Sequence, residues 1–99
     1  MNPQPAVIDQ IAERFSHYPH VERVILYGSR ARGDEEERSD IDLAVAGPRI
    51  SRDEWREMRD YIERKARTLL FIDVVQLEKV SEKLRENIQR EGITLYERH

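Results

Sequence analysis

The chain has no cysteine, which excludes disulfides and thiolate metal sites, and its three histidines, His17, His20 and His99, fall at no zinc-binding spacing. Long apolar runs are missing too: no stretch approaches the roughly 18 consecutive residues of a membrane span. The first residues, with Pro3, Pro5 and Asp9, lack the basic and apolar regions of a secretory signal, so a cytoplasmic protein without membrane association is expected. There is no surplus of basic charge either. At a formal net charge of −3, the chain is poorly suited to the lysine- and arginine-driven neutralisation of phosphates on which general DNA or RNA binding rests, and direct nucleic-acid binding is not expected.

The composition of the 99 residues, 38% hydrophobic and 37% charged, is that of a small globular body with a large charged surface, and residues 1–99 are read as a single domain. Val7, Ile8, Ile11, Ala12 and Phe15 recur at three- and four-residue intervals, which predicts an amphipathic helix from Pro5 to Phe15 that stops before Pro19. Val21 to Tyr27 is rich in β-branched and aromatic residues and predicts a strand that breaks at Gly28. Residues 29 to 33 predict a short helix with serine as its N-cap, and the polar tract from Asp34 to Ser39 predicts a loop. A second strand is expected from Asp40 to Ala46. A long helix capped by Ser51 or Asp53 should carry Trp55, Met58, Ile62, Ala66 and Leu69 into the core. Leu70 to Leu77 predicts a third strand. Val80, Leu84 and Ile88 line a last helix, which Gly92 is expected to end in the left-handed conformation, leaving Ile93 to Tyr96 as an edge strand. This order, α-β-(short α)-β-α-β-α-β, predicts a two-layer α/β domain with helices on one face of a three- or four-stranded sheet.

Two motifs in this frame read as chemistry. The run Val24-Ile25-Leu26-Tyr27 ends in Gly28-Ser29, a turn in which a backbone without Cβ can approach a phosphate and the serine hydroxyl can donate to it. Beyond it come Asp40 and Asp42, alternating with Ile41, Leu43 and Val45, so a strand would put both carboxylates on one face and the apolar residues on the other. Paired carboxylates suit Mg²⁺, which takes one or two of them and completes its shell with water and substrate phosphates. Asp73, between Ile72 and Val74, would join them if the third strand lies beside the second. Arg30, Arg32 and Arg38 fall around the phosphate turn, where a guanidinium fork suits a triphosphate. Gly-Ser turns and Asp-x-Asp are each common alone, and only their joint placement is informative.

Gly28-Ser29, the ten-residue gap, Asp40-Ile41-Asp42 and the later Asp73 resemble the nucleotidyltransferase signature of the DNA polymerase β superfamily. The likeness extends through Gly28-Ser29-Arg30-Ala31-Arg32-Gly33, Ser39-Asp40-Ile41-Asp42-Leu43 and Glu91-Gly92-Ile93-Thr94-Leu95-Tyr96 to the minimal nucleotidyltransferases, among them the antitoxin partners of HEPN-domain ribonuclease toxins. The resemblance implies a polymerase β-like fold with a mixed sheet. It places Gly28 and Ser29 on the nucleotide phosphates, gives Arg30 and Arg32 roles at the triphosphate or in pinning the loop to Asp34, Glu35 or Glu36, and puts Asp40, Asp42 and Asp73 on two Mg²⁺ ions. It further implies that ATP is the substrate, that Asp73 helps deprotonate the incoming hydroxyl, and that AMP passes to a tyrosine of a HEPN-domain toxin, which is thereby silenced. Larger relatives carry a second domain for the base or the acceptor, so here the partner is expected to supply the acceptor site. Two other readings stand beside this one: transfer to a small molecule of the aminoglycoside kind, and a non-catalytic antitoxin that acts by contact and holds nucleotide as a structural ligand.

Overall fold

The computed structural model describes residues 6–33, 41–65 and 72–98. The apolar stripe Ile8, Ile11 and Phe15 is buried on the first helix, α1 (Ala6–Phe15), which gives way to a turn before Pro19. Strand β1 (Arg23–Tyr27) begins two residues later than the apolar run, because Val21 is used in a turn whose N–H donates to Tyr18 O at 3.1 Å. A four-residue helix, α2 (Ser29–Arg32), follows directly, and β2 (Ile41–Ala46) returns antiparallel to β1.

Helix α3 (Arg52–Lys65) opens on a reciprocal cap in which Ser51 Oγ accepts from Glu54 N at 3.1 Å and Glu54 Oε1 accepts from Ser51 N at 3.4 Å. The expected core positions Ala66 and Leu69 lie outside the described residues. Helix α3 crosses over to β3 (Ile72–Gln76), which pairs parallel with β2, as a parallel neighbour requires a connection of about a dozen residues or more. Ser81 caps α4 (Glu82–Glu91) through Leu84 N, and β4 (Ile93–Glu97) pairs antiparallel with β1. The sheet is mixed and four-stranded, in the order β3-β2-β1-β4.

The α/β class stands, but one part of its layering differs from the expectation of helices on one face. Helices α1 and α3 cover one face, packing Ile8, Phe15, Met58 and Ile62 on Val24, Leu26, Leu43 and Val45. Helix α4 covers the other, packing Ile88 and Leu84 on Ile25, Ala44 and Ala46. The reason lies in the two central strands, whose apolar residues are consecutive rather than alternating, as strands buried on both faces require. Met58 is fully buried and Trp55 packs against the same core, so that helical stripe is structural. Gly92 also differs from expectation: it is extended, at φ −73°, and its requirement for glycine is spatial, since a Cβ there would strike Ile25 Cγ2 and Ile88 O.

Candidate active site

Helix α4 covers only part of its face, and the uncovered end of the strands carries the acidic residues. Asp42 is opposite Tyr27 on β1 and opposite Asp73 on β3, so one row across three adjacent strands reads Tyr27, Asp42, Asp73. Neighbouring strands lie about 4.8 Å apart, and in-register residues share a face. That face is the α4 side, because Ala44 and Val75, two residues along from Asp42 and Asp73, pack into the α4 cluster. Ile41 and Leu43, flanking Asp42, are buried on the opposite side. Ala44 is fully covered, Asp42 is half-buried and Asp73 is exposed, so the row opens outward towards solvent.

Gly28 stands at the end of this row. It has φ 78° and ψ −156°, and a Cβ on it would lie 2.6 Å from Asp42 Oδ2, so the residue must be glycine both for its backbone and for the carboxylate beside it. The N-cap of α2 is therefore Gly28 rather than Ser29, and no side chain caps the helix. Ser29 is its first residue, and the Ala31 and Arg32 amides both donate to Gly28 O at 3.1 Å, folding the turn tightly behind the carboxylates. The Arg32 guanidinium reaches Glu91 at the end of α4, Nη1 to Oε2 at 3.6 Å. The proposed ion pairs of the arginines with Asp34, Glu35 or Glu36 lie outside the described residues, as do Asp40 and Arg38.

The row thus brings together Gly28, Asp42 and Asp73 of the residues singled out in the sequence, with Ser29, Arg30 and Arg32 on the helix that follows the glycine. It also holds Tyr27, which sequence reasoning took only as a strand residue. Counting alternate residues from Ile25 would have put Tyr27 on the α4 face beside the carboxylates. Burial, then the charges of Asp42 and Asp73, push its phenol up to about 12. Two carboxylates in register at an open face are hard oxygen donors, which fit a divalent cation. Among the described residues no group of three acidic or histidine side chains forms a metal cluster; Asp42 and Asp73 supply two candidate ligands, and the third, Asp40, is outside them.

A separate pocket of about 450 Å³ lies on the α4 face around Arg23, Ala46 and Arg85. In its lining Arg85 donates to the carbonyls of Leu77, Glu78 and Val80, and Glu78 accepts from Gly47 N at 2.9 Å. It lacks the carboxylate row and the glycine turn.

The model of the Polymerase beta, Nucleotidyltransferase family matches residues 9–99. No curated protein matches the sequence. Solved structures do match. A toxin–antitoxin structure with AMP-PNP has a TM-score of 0.70 at 21% identity, over 95% of this chain and 73% of that one. A candidate minimal nucleotidyltransferase has a TM-score of 0.66 at 26% identity, over 89% of both chains. A tri-AMPylated HEPN toxin of Shewanella oneidensis in complex with its MNT antitoxin gives a TM-score of 0.60 at 20% identity, over 91% of this chain and 73% of that one. Among the described residues no helix is long and apolar enough to cross a membrane.

Proposed function

The chain belongs to the polymerase β nucleotidyltransferase family, and from that premise we propose that it is an antitoxin that transfers AMP from ATP to a tyrosine hydroxyl of a HEPN-domain toxin. The observation that carries the reading is the placement of Asp42 and Asp73 in register on adjacent parallel strands, with Gly28 closing on Asp42. The structural neighbours that hold AMP-PNP or an AMPylated toxin support the same chemistry and the same class of partner.

In this reading Gly28 and Ser29 take the β- and γ-phosphates, and Arg30 and Arg32 add charge at the triphosphate. Asp40, Asp42 and Asp73 would hold Mg²⁺, which when bound supplies charge stabilisation to the attacking and leaving oxygens of an in-line displacement. Asp73, the more exposed carboxylate, accepts the proton of the incoming tyrosine hydroxyl. The tyrosine oxygen bonds to the α-phosphorus, the bond from that phosphorus to the bridging oxygen breaks, and pyrophosphate leaves with the electron pair. Modification of the toxin then neutralises it.

The test is incubation of the purified chain with Mg²⁺, α-labelled ATP and a HEPN-domain partner, beside Asp42→Asn. Label and an added AMP mass on the partner, absent with the variant and absent with chelator, are expected. Neutralisation of the toxin by Asp42→Asn as well as by the native chain would refute transfer and favour an antitoxin acting by contact. Label only on small molecules would refute the protein acceptor.

A further inference from the structure

Glu91 is the last residue of α4, and the structure ties it to the helix that follows the phosphate turn. Its Oε2 faces Arg32 Nη1 at 3.6 Å, while its Oε1 lies 3.9 Å from Arg90, whose own Nη2 donates to Asn87 Oδ1 at 2.6 Å. The position of Glu91 is fixed by Gly92, because the missing side chain lets the chain pass against Ile25 and Leu26 of β1 at the point where α4 ends. Helix α2 is short: it has four residues, no side-chain cap among the described residues and no fully buried residue, and Ala31 seats it against the core. The Arg32–Glu91 pair adds a tie from this short helix to the end of α4, whose carbonyls also favour a cation.

We propose that Glu91 is a positioning residue for nucleotide binding: by holding the Arg32 guanidinium at the end of α4, it orients α2 and the Gly28-Ser29 turn for the triphosphate. The inference rests on the reading of Arg32 as a phosphate ligand given above. Glu91 touches no substrate and acts through Arg32. Both partners are substantially exposed, so the pair adds little to stability, and its effect falls on geometry at the turn.

The test compares the native chain, Glu91→Gln and Glu91→Asp, and repeats Glu91→Gln in an Arg32→Ala background, with ATP affinity measured by direct titration and KM and kcat by transfer. Glu91→Gln is expected to weaken ATP binding and raise KM by about two- to fivefold, the range an exposed ion pair carries, with kcat held within about twofold. Melting should shift by less than roughly 4 °C. Glu91→Asp, which keeps the charge, should recover part of the loss. With Arg32→Ala, Glu91→Gln should leave ATP affinity unchanged or improve it, because only the repulsion between carboxylate and triphosphate remains. An equal loss in both backgrounds, a parallel fall in kcat and melting temperature, or no change at all would overturn the inference. Absence of transfer by the native chain would instead refute the enzymatic reading, and the binding titrations would still decide the role of Glu91.

Discussion

Replacing Gly28 with alanine should slow nucleotidyl transfer by about 100-fold in a protein that still folds, and Gly33 supplies the control. At φ 78° and ψ −156°, Gly28 occupies a region nearly confined to glycine, and a side chain there costs about 1–3 kcal/mol. The added Cβ would lie 2.6 Å from Asp42 Oδ2, where ordinary contact begins near 3.4 Å. The carboxylate must retreat by roughly 0.8 Å, and displacements of about 1 Å within a reacting constellation cost on the order of 100-fold in rate. Gly33, at φ 81° in the left-handed region, carries backbone strain of about 1–2 kcal/mol on the same substitution, but among the described residues a Cβ there meets nothing within 4 Å. Both variants should melt lower, by about 4–8 °C for each kcal/mol in a domain of this size. Only Gly28→Ala should slow transfer to that extent, measured as label passed from ATP to the partner in parallel with thermal melts. Transfer by Gly28→Ala within about threefold of Gly33→Ala would show that the Gly28 approach to Asp42 is not part of the machinery.

Tyr27 offers a spectroscopic view of the same site. Because folding raises its pKa from 10.0 to about 12, its contribution to stability is complete below the lower value and is lost as pH climbs towards the upper one. Asp42→Asn should bring the Tyr27 titration back down, read as tyrosinate absorbance by difference from Tyr27→Phe; an unmoved titration would mean that the carboxylate does not act on the phenol. Gly92→Ala should destabilise without backbone strain, by about 1–3 kcal/mol of overpacking against Ile25 and Ile88, and an unchanged melting temperature would refute the close approach. At the other side of the molecule His20 Nδ1 donates to Glu54 Oε2 at 2.9 Å, which holds the Glu54 carboxyl below the usual carboxylate range. Folding lowers this pKa, so the contribution is present above the ordinary value of 4.5 and is lost as pH falls through the lowered one. His20→Ala should return the Glu54 titration towards 4.5 in an NMR pH series, and no movement would remove His20 as the cause.

The elements and much of the site were legible because they are local. Three- and four-residue spacing marked α1, α3 and α4, and the alternation of Asp42 with Ile41 and Leu43 fixed which way the carboxylate points. Three features were hidden because they depend on packing between distant segments. Consecutive apolar residues in β1 and β2 are the pattern of strands buried on both faces, but the expectation of helices on one face did not use it, and nothing local says that α4 takes the second face. The Arg32–Glu91 pair joins residues far apart in the chain and has no local signature. Gly92 carried the right residue for a different cause, close approach rather than a left-handed turn, and its extended backbone and the positions of Ile25 and Ile88 distinguish the two.

The second buried face also explains why the acids stand where they do. With α1 and α3 filling one side of the sheet, the chemistry has only the α4 side available, and α4 takes the half of that side where β2 offers Ala44 and Ala46. Small residues there let the helix lie close, while the next residue of the same parity towards the start of the strand is Asp42. A carboxylate at that step cannot be buried under an apolar helix without a large desolvation cost, so the helix and the acid exclude one another along the strand. The open end, occupied by Tyr27, Asp42 and Asp73, then gathers negative charge that a cation and a triphosphate can meet together. The cover that stabilises the sheet and the opening that allows catalysis are thus set by the same alternation in β2, and Gly28, just beyond Tyr27, keeps the outer edge of that opening free of a side chain beside Asp42.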